Sequence, residues 1–213
     1  MHRSHSGFPL VVFVLVAGSA NASLIYNNLG TGDRGGLFIG NLTNTEVTWA
    51  NEFLTPSNSR YSLDNVMATI SGAGASDSIS AFLYSNNSGV PGSSLGPINT
   101  LTPGSAKSTV TFTPSGNISL QANTQYWIVL IDNAGNNTFG TWYSSATETG
   151  TGVTNENHAE WTGAAWISRP NNSFTAEIPE MEINATAVPE PGTFVLIGCA
   201  LVALATGLRR RNR

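Results

Sequence analysis

Charge, lysine and cysteine are scarce in this 213-residue chain. Only 10% of residues are charged, one residue is cysteine and three are histidine. The lone cysteine, Cys199, lies in an apolar run near the C-terminus, where packing in a helix competes with lipidation as its role. The rest of the chain therefore folds without disulfides, and its stability must come from its core. The shortage of basic residues is uneven. Between residues 23 and 188 only Arg34, Arg60, Lys107 and Arg169 are basic, against twelve acids, a net charge of −8 where the whole chain carries −4. Such a surface disfavours nucleic acid and anionic lipid as partners. Convincing helical periodicity with caps is also missing from this region. So are G-x-S-x-G, H-E-x-x-H and C-x-x-C, the short motifs of serine hydrolases, zinc proteases and thiol or metal sites.

What is present sits first at the two ends. MHRSHSG is a short basic start, FPLVVFVLVAG an apolar core, and SANAS supplies an A-x-A pattern. This order predicts a signal peptide over residues 1–22, cleaved after Ala22, with Ala20 as the second choice. At the other end Thr193 to Leu208 are sixteen uncharged residues, about 24 Å of helix at about 1.5 Å per residue. With help from snorkelling arginine stems this spans a thin membrane. Arg209, Arg210, Arg211 and Arg213 follow and act as a basic stop, which keeps the tail cytoplasmic. Ahead of the span, Val188-Pro189-Glu190-Pro191 holds Glu190 in extended backbone between two prolines.

Pro-Glu-Pro, a short span and a terminal arginine cluster, in that order over residues 188–213, resemble the PEP-CTERM sorting signal of Gram-negative bacteria. That resemblance implies a chain exported through the signal peptide and held transiently in the inner membrane. A membrane-embedded exosortase then processes it for the cell surface or extracellular matrix. It makes Pro189, Glu190 and Pro191 the sorting motif, read by another protein's active site. A plain single-pass anchor without processing remains the competing reading.

Between the ends, residues 23–187 read as one exported all-β domain, a single jelly-roll-like β-sandwich. RYSLDNVMATIS (60–71) alternates with a slip near Asn65 that suggests a bulge. SISAFLYS (78–85) puts Ile79, Ala81 and Leu83 on one face and Phe82 and Tyr84 on the other. SNNSGVPGSSLG (85–96) is dense in turn residues. STVTFTP (108–114) reads as half-buried, and TQYWIVLID (124–132) as a central strand buried on both faces. TFGTWYSS (138–145) carries Gly140 as a candidate bulge. EWTGAAWIS (160–168) reads as a hairpin. SFTAEIPEMEINATA (173–187) is a last strand in which Pro179 suggests an edge or bulge, and SLIYNN and EVTWANEF complete about ten strands. The order WANEF, RYSLDNVMATIS, AFLYSNNSGVPGSSLG, STVTFTPSGNISLQANTQYWIVL is similar to the choice-anchor domains of bacterial surface proteins, the R type above all. That likeness implies architecture and location, with no activity attached.

Candidate chemistry in the domain is sparse, and no enzyme, metal or cofactor is expected. His158, flanked by Glu156 and Glu160, offers a conceivable metal or acid/base group against a solvated-turn reading. Asp132, Asn133, Asn136 and Asn137 offer oxygen ligands without the spacing of a calcium loop. Trp142, Tyr143, Trp161 and Trp166 are candidates for stacking on sugar rings, with core packing as the competing explanation. Asn-x-Ser/Thr triplets at Asn41, Asn86, Asn117, Asn136, Asn171 and Asn184 are weak glycosylation signals in so Asn-rich a chain. The expected role is structural or adhesive, in exopolysaccharide or biofilm matrix. A carbohydrate-binding module, or a secreted hydrolase working through a carboxylate pair, stands as the alternative.

Overall fold

The computed structural model describes residues 22–30, 33–42, 45–72, 77–133, 139–145, 158–169 and 178–189. Residues 1–21 of the expected signal peptide, Glu190, Pro191, the expected span at 193–208 and the terminal arginines lie outside these residues, while Ala22, the expected last residue of the signal peptide, opens the first strand. No helix among the described residues is long and apolar enough to cross a membrane.

Among the described residues fourteen strands follow one another: β1 Ala22–Asn27, β2 Asp33–Leu42, β3 Thr45–Leu54, β4 Arg60–Ser71, β5 Ile79–Asn86, β6 Pro91–Leu101 and β7 Ser108–Phe112. After them come β8 Ser119–Leu120, β9 Gln125–Asp132, β10 Phe139–Ser145, β11 His158–Trp161, β12 Trp166–Arg169, β13 Ile178–Pro179 and β14 Met181–Val188. Every pairing is antiparallel. The ladder runs β1-β14-β4-β10-β2-β3-β9-β5-β6. β3 is the hinge of the sandwich. Its first residues pair with β2, and from Thr48 onward it pairs with β11 on one side and β9 on the other. Two sheets result, and their inner faces share one core.

That core takes Ile25, Ile39, Val66, Ile70, Phe112, Trp142 and Ile183 from the first sheet. Phe53, Ile79, Leu83, Ile128 and Leu130 come from the second. Burying each large apolar side chain stabilises the fold by about 1.5–3 kcal/mol, which is how a domain without disulfides holds together. Asn28 stitches the sheet edge from within. Its amide nitrogen donates to the Pro179 carbonyl at 3.0 Å, and its oxygen accepts the Met181 N–H at 2.6 Å.

β4 matches its expected span, and its register against β14 slips between Leu63 and Asn65, so the bulge falls where the alternation breaks. β9 is central and buried on both faces. Gly140 is no bulge, because it pairs in register with Ile39. A Cβ there would stand 2.9 Å from Ile79 Cδ1 and 3.0 Å from the Ser71 carbonyl oxygen, so glycine admits the close approach of neighbouring chains. Residues 85–96 are only in part a turn. Pro91–Leu101 form edge strand β6, which tolerates Pro91 and Pro97 because one side lacks a strand partner among the described residues. β2, with its three glycines, and the two-residue β8 are further strands the hydrophobic pattern does not announce.

An aromatic cleft on the outer face of the second sheet

The second sheet is apolar on both faces. Outward from β9 point Trp127 and Val129, which cluster with Ala50 and Ala159 and with half-buried Phe82, Tyr84, Ile131 and Trp166. Trp127 is fully buried there, and its indole N–H donates to Asn86 Oδ1 at 3.0 Å. The β11–β12 hairpin covers this second cluster. In a flat sheet Trp166 and Tyr84 would lie four strands and four residues apart, about 23 Å at standard spacings. Their ring centroids are 6.4 Å apart. Twist and coiling of the hairpin therefore bring Trp166 back over the sheet. Two of the three register shifts between β5 and β6 flank Tyr84, and such irregularities re-aim a side chain from the other side.

A cleft of about 410 Å³ opens between them, lined by Thr48, Tyr84, Gly92, Val129, Ile131, Trp161 and Trp166. Trp161 and Trp166 face each other across the hairpin with centroids 5.5 Å apart and planes inclined by 57°. Tyr84 stands at 71° to Trp166. Thr48, paired opposite Trp161, is buried, and its hydroxyl has no hydrogen-bond partner among the described residues. No lining side chain is charged.

The four aromatics singled out from sequence thus separate. Trp161 and Trp166 meet at the cleft. Trp142 does not join them; it is wholly buried in the core and donates its indole N–H to the Glu180 carbonyl at 2.8 Å, so neither ring face can meet a sugar. Tyr143 lies on β10 of the first sheet, with Lys107 Nζ 4.4 Å from its ring centroid. Tyr84 is the partner that sequence reasoning missed. Its outward position on β5 was visible in the alternation, but its approach to Trp166 depends on the curl of the hairpin.

The charged residues of the hairpin lie on its other face. His158 is buried, its ring 5.7 Å from that of Trp49, and its Nδ1 has no hydrogen-bond partner among the described residues. Burial, helped by nearby Arg169, lowers its pKa to about 4, so the imidazole is neutral at ordinary pH. Glu160 shares that face and accepts from Arg169 Nη2 at 2.6 Å and Nε at 3.1 Å. Glu156 lies outside the described residues, and among the described residues no group of three His, Cys, Asp or Glu is placed to hold a metal. Asp132 accepts the Gly140 N–H at 2.8 Å and so ties β9 to β10; Asn136 and Asn137 lie outside the described residues. Of the Asn-x-Ser/Thr positions, the amide nitrogens of Asn86 and Asn184 are engaged within the fold.

Val188 closes the last strand, paired with Arg60, and Pro189 follows it exposed. Comparison with known proteins bears on this end and on the fold. No curated protein matches the chain. Among solved structures it resembles the cysteine protease and lectin-like domains of Cwp84, a surface layer associated protein of Clostridium difficile. The identity is 16% and the TM-score 0.52, over 68% of this chain and 33% of that one. A propeptide-cleaved form of the clostridial cysteine protease Cwp84 gives 15% and 0.56, over 78% and 41%. The chain thus spans well under half the length of these structures, and at such identities the likeness is one of fold. Residues 187–211 match the PEP-CTERM protein-sorting motif, which implies an exported surface protein held transiently in the membrane and processed by an exosortase.

Proposed function

We propose that this chain is a non-enzymatic adhesive component of the cell surface or extracellular matrix, and that its sandwich grips matrix polysaccharide through the aromatic cleft. The observation that carries this is the Trp161–Trp166–Tyr84 corner, inclined rings around about 410 Å³ of space with no charged side chain in the lining. Sugar rings present C–H faces to aromatic side chains and hydroxyls to polar ones. A cleft with no carboxylate, imidazole or thiol can hold such a ring but lacks an acid/base pair to cleave it. The setting agrees with a structural neighbour that is a surface layer associated protein with a lectin-like domain. The domain of residues 23–187 is the working part. The signal peptide (1–22) and the sorting signal, with motif 188–191, span 193–208 and basic tail 209–213, deliver it.

Two experiments test the reading. Mass spectrometry of the protein from each cell fraction should find surface material that ends near the Pro189-Glu190-Pro191 motif. An intact Arg213 confined to the membrane fraction would mean a plain anchor instead. A glycan array with the native chain and its Trp161→Ala and Trp166→Ala variants should show binding that both variants lose. Binding unaffected by either would place the sugar elsewhere.

A further inference from the structure

We infer that the cleft takes the terminal residue of an uncharged glycan, rather than a stretch along a chain or an acidic polysaccharide. This rests on the glycan reading above and narrows it. The shape argument comes from the rings. Trp161 and Trp166 are tilted by 57°, and Tyr84 is turned 71° from Trp166. Three rings inclined to one another cannot form a level bench under an extended chain. They bound a corner that closes around one sugar ring, with Val129 and Ile131 behind it.

The chemical argument comes from the polar groups. Among the described residues no hydrogen bond engages the indole N–H groups of Trp161 and Trp166 or the Tyr84 hydroxyl. They are neutral groups suited to sugar hydroxyls. The nearest charges on the hairpin, Glu160 and Arg169, sit on its opposite face and satisfy each other. An acidic sugar would lose water around its carboxylate in this corner and gain no cation in return. The Thr48 hydroxyl adds a second mark. It is buried beside Trp161 without a partner, and a small movement of that ring would offer it to a ligand hydroxyl.

The test is titration of the full chain, held in a sugar-free zwitterionic detergent, followed by tryptophan fluorescence. The neutral probes are di- to hexasaccharides of glucose, mannose and N-acetylglucosamine; the acidic probe is the galacturonate series. At least one neutral series should bind, with affinity that varies less than about threefold from disaccharide to hexasaccharide. Galacturonates should bind at least about tenfold more weakly. Thr48→Val and Tyr84→Phe keep the volume of the cleft and should each weaken binding, the first by about tenfold. Affinity that climbs about tenfold or more with chain length would overturn the chain-end assignment. Galacturonate binding equal to neutral binding would overturn the uncharged one. Either result leaves the glycan reading intact, whereas failure of every sugar to bind would sink both.

Discussion

Burial of the His158 imidazole holds its pKa at about 4 in the folded chain, against 6.5 for an exposed histidine. The unfolded chain therefore binds a proton between those values that the folded chain refuses. Stability should be full above about pH 6.5 and fall as pH drops toward 4, by on the order of 3 kcal/mol. Urea midpoints measured from pH 4 to 7 should show that slope in the native chain and a shallower one in His158→Asn. Two other single residues bear on stability. Trp142→Ala should cost about 3–5 kcal/mol in urea unfolding, the penalty for emptying a fully buried aromatic site. Thr48→Val should do the reverse and raise the melting temperature, because it removes a buried hydroxyl with no partner. These roles were only half legible in the sequence. Trp142 and Trp166 both sit in aromatic-rich strand segments, and nothing local says that one faces the shared core and the other the outer cleft.

The β11–β12 hairpin decides the shape of the site. Its four-residue loop, Thr162 to Ala165, turns at Gly163 with φ +82°, a conformation that costs a side-chain-bearing residue about 1–2 kcal/mol. Gly163→Val should therefore loosen the hairpin. Hydrogen exchange should quicken at residues 158–169, and glycan affinity should drop even though no lining residue has changed. A rigid core with unchanged exchange in β9 would accompany it. The hairpin itself was plain from two tryptophans bracketing a glycine. What the pattern could not show was its placement, because β11 joins the edge of β3 more than a hundred residues upstream. Edge strand β6 shows the opposite failure. Its prolines, glycines and serines read as a turn, yet pairing with β5 along one side only asks little of local propensity.

At the scale of the whole molecule, β1 pairs with β14, and Ala22 stands opposite Thr186. The strand that opens the domain and the strand that closes it thus leave it at the same end. The matched sorting motif, residues 187–211, overlaps the last two residues of this ladder, Ala187 and Val188, and Pro189 follows directly. The cleft is built on the second sheet, whereas β1 and β14 belong to the first. Replacing Pro189, Glu190 and Pro191 together with alanine should leave a full-length precursor in the membrane fraction with an unaltered melting temperature. Immunoblots of membrane and surface material would show it. Normal release of that variant would remove these three residues from the recognition step.

The sequence by itself determined the destination and the class of fold. A sorting motif is read as a short, contiguous string by another protein, so its order along the chain is its meaning. Strand alternation is equally local, since side chains on neighbouring residues must face opposite sides of a sheet. Tertiary structure alone decided the site. Thr48, Tyr84, Trp161 and Trp166 come from four strands spread over more than a hundred residues, and only sheet pairing, bulges and the coiling of one hairpin bring them to one cleft.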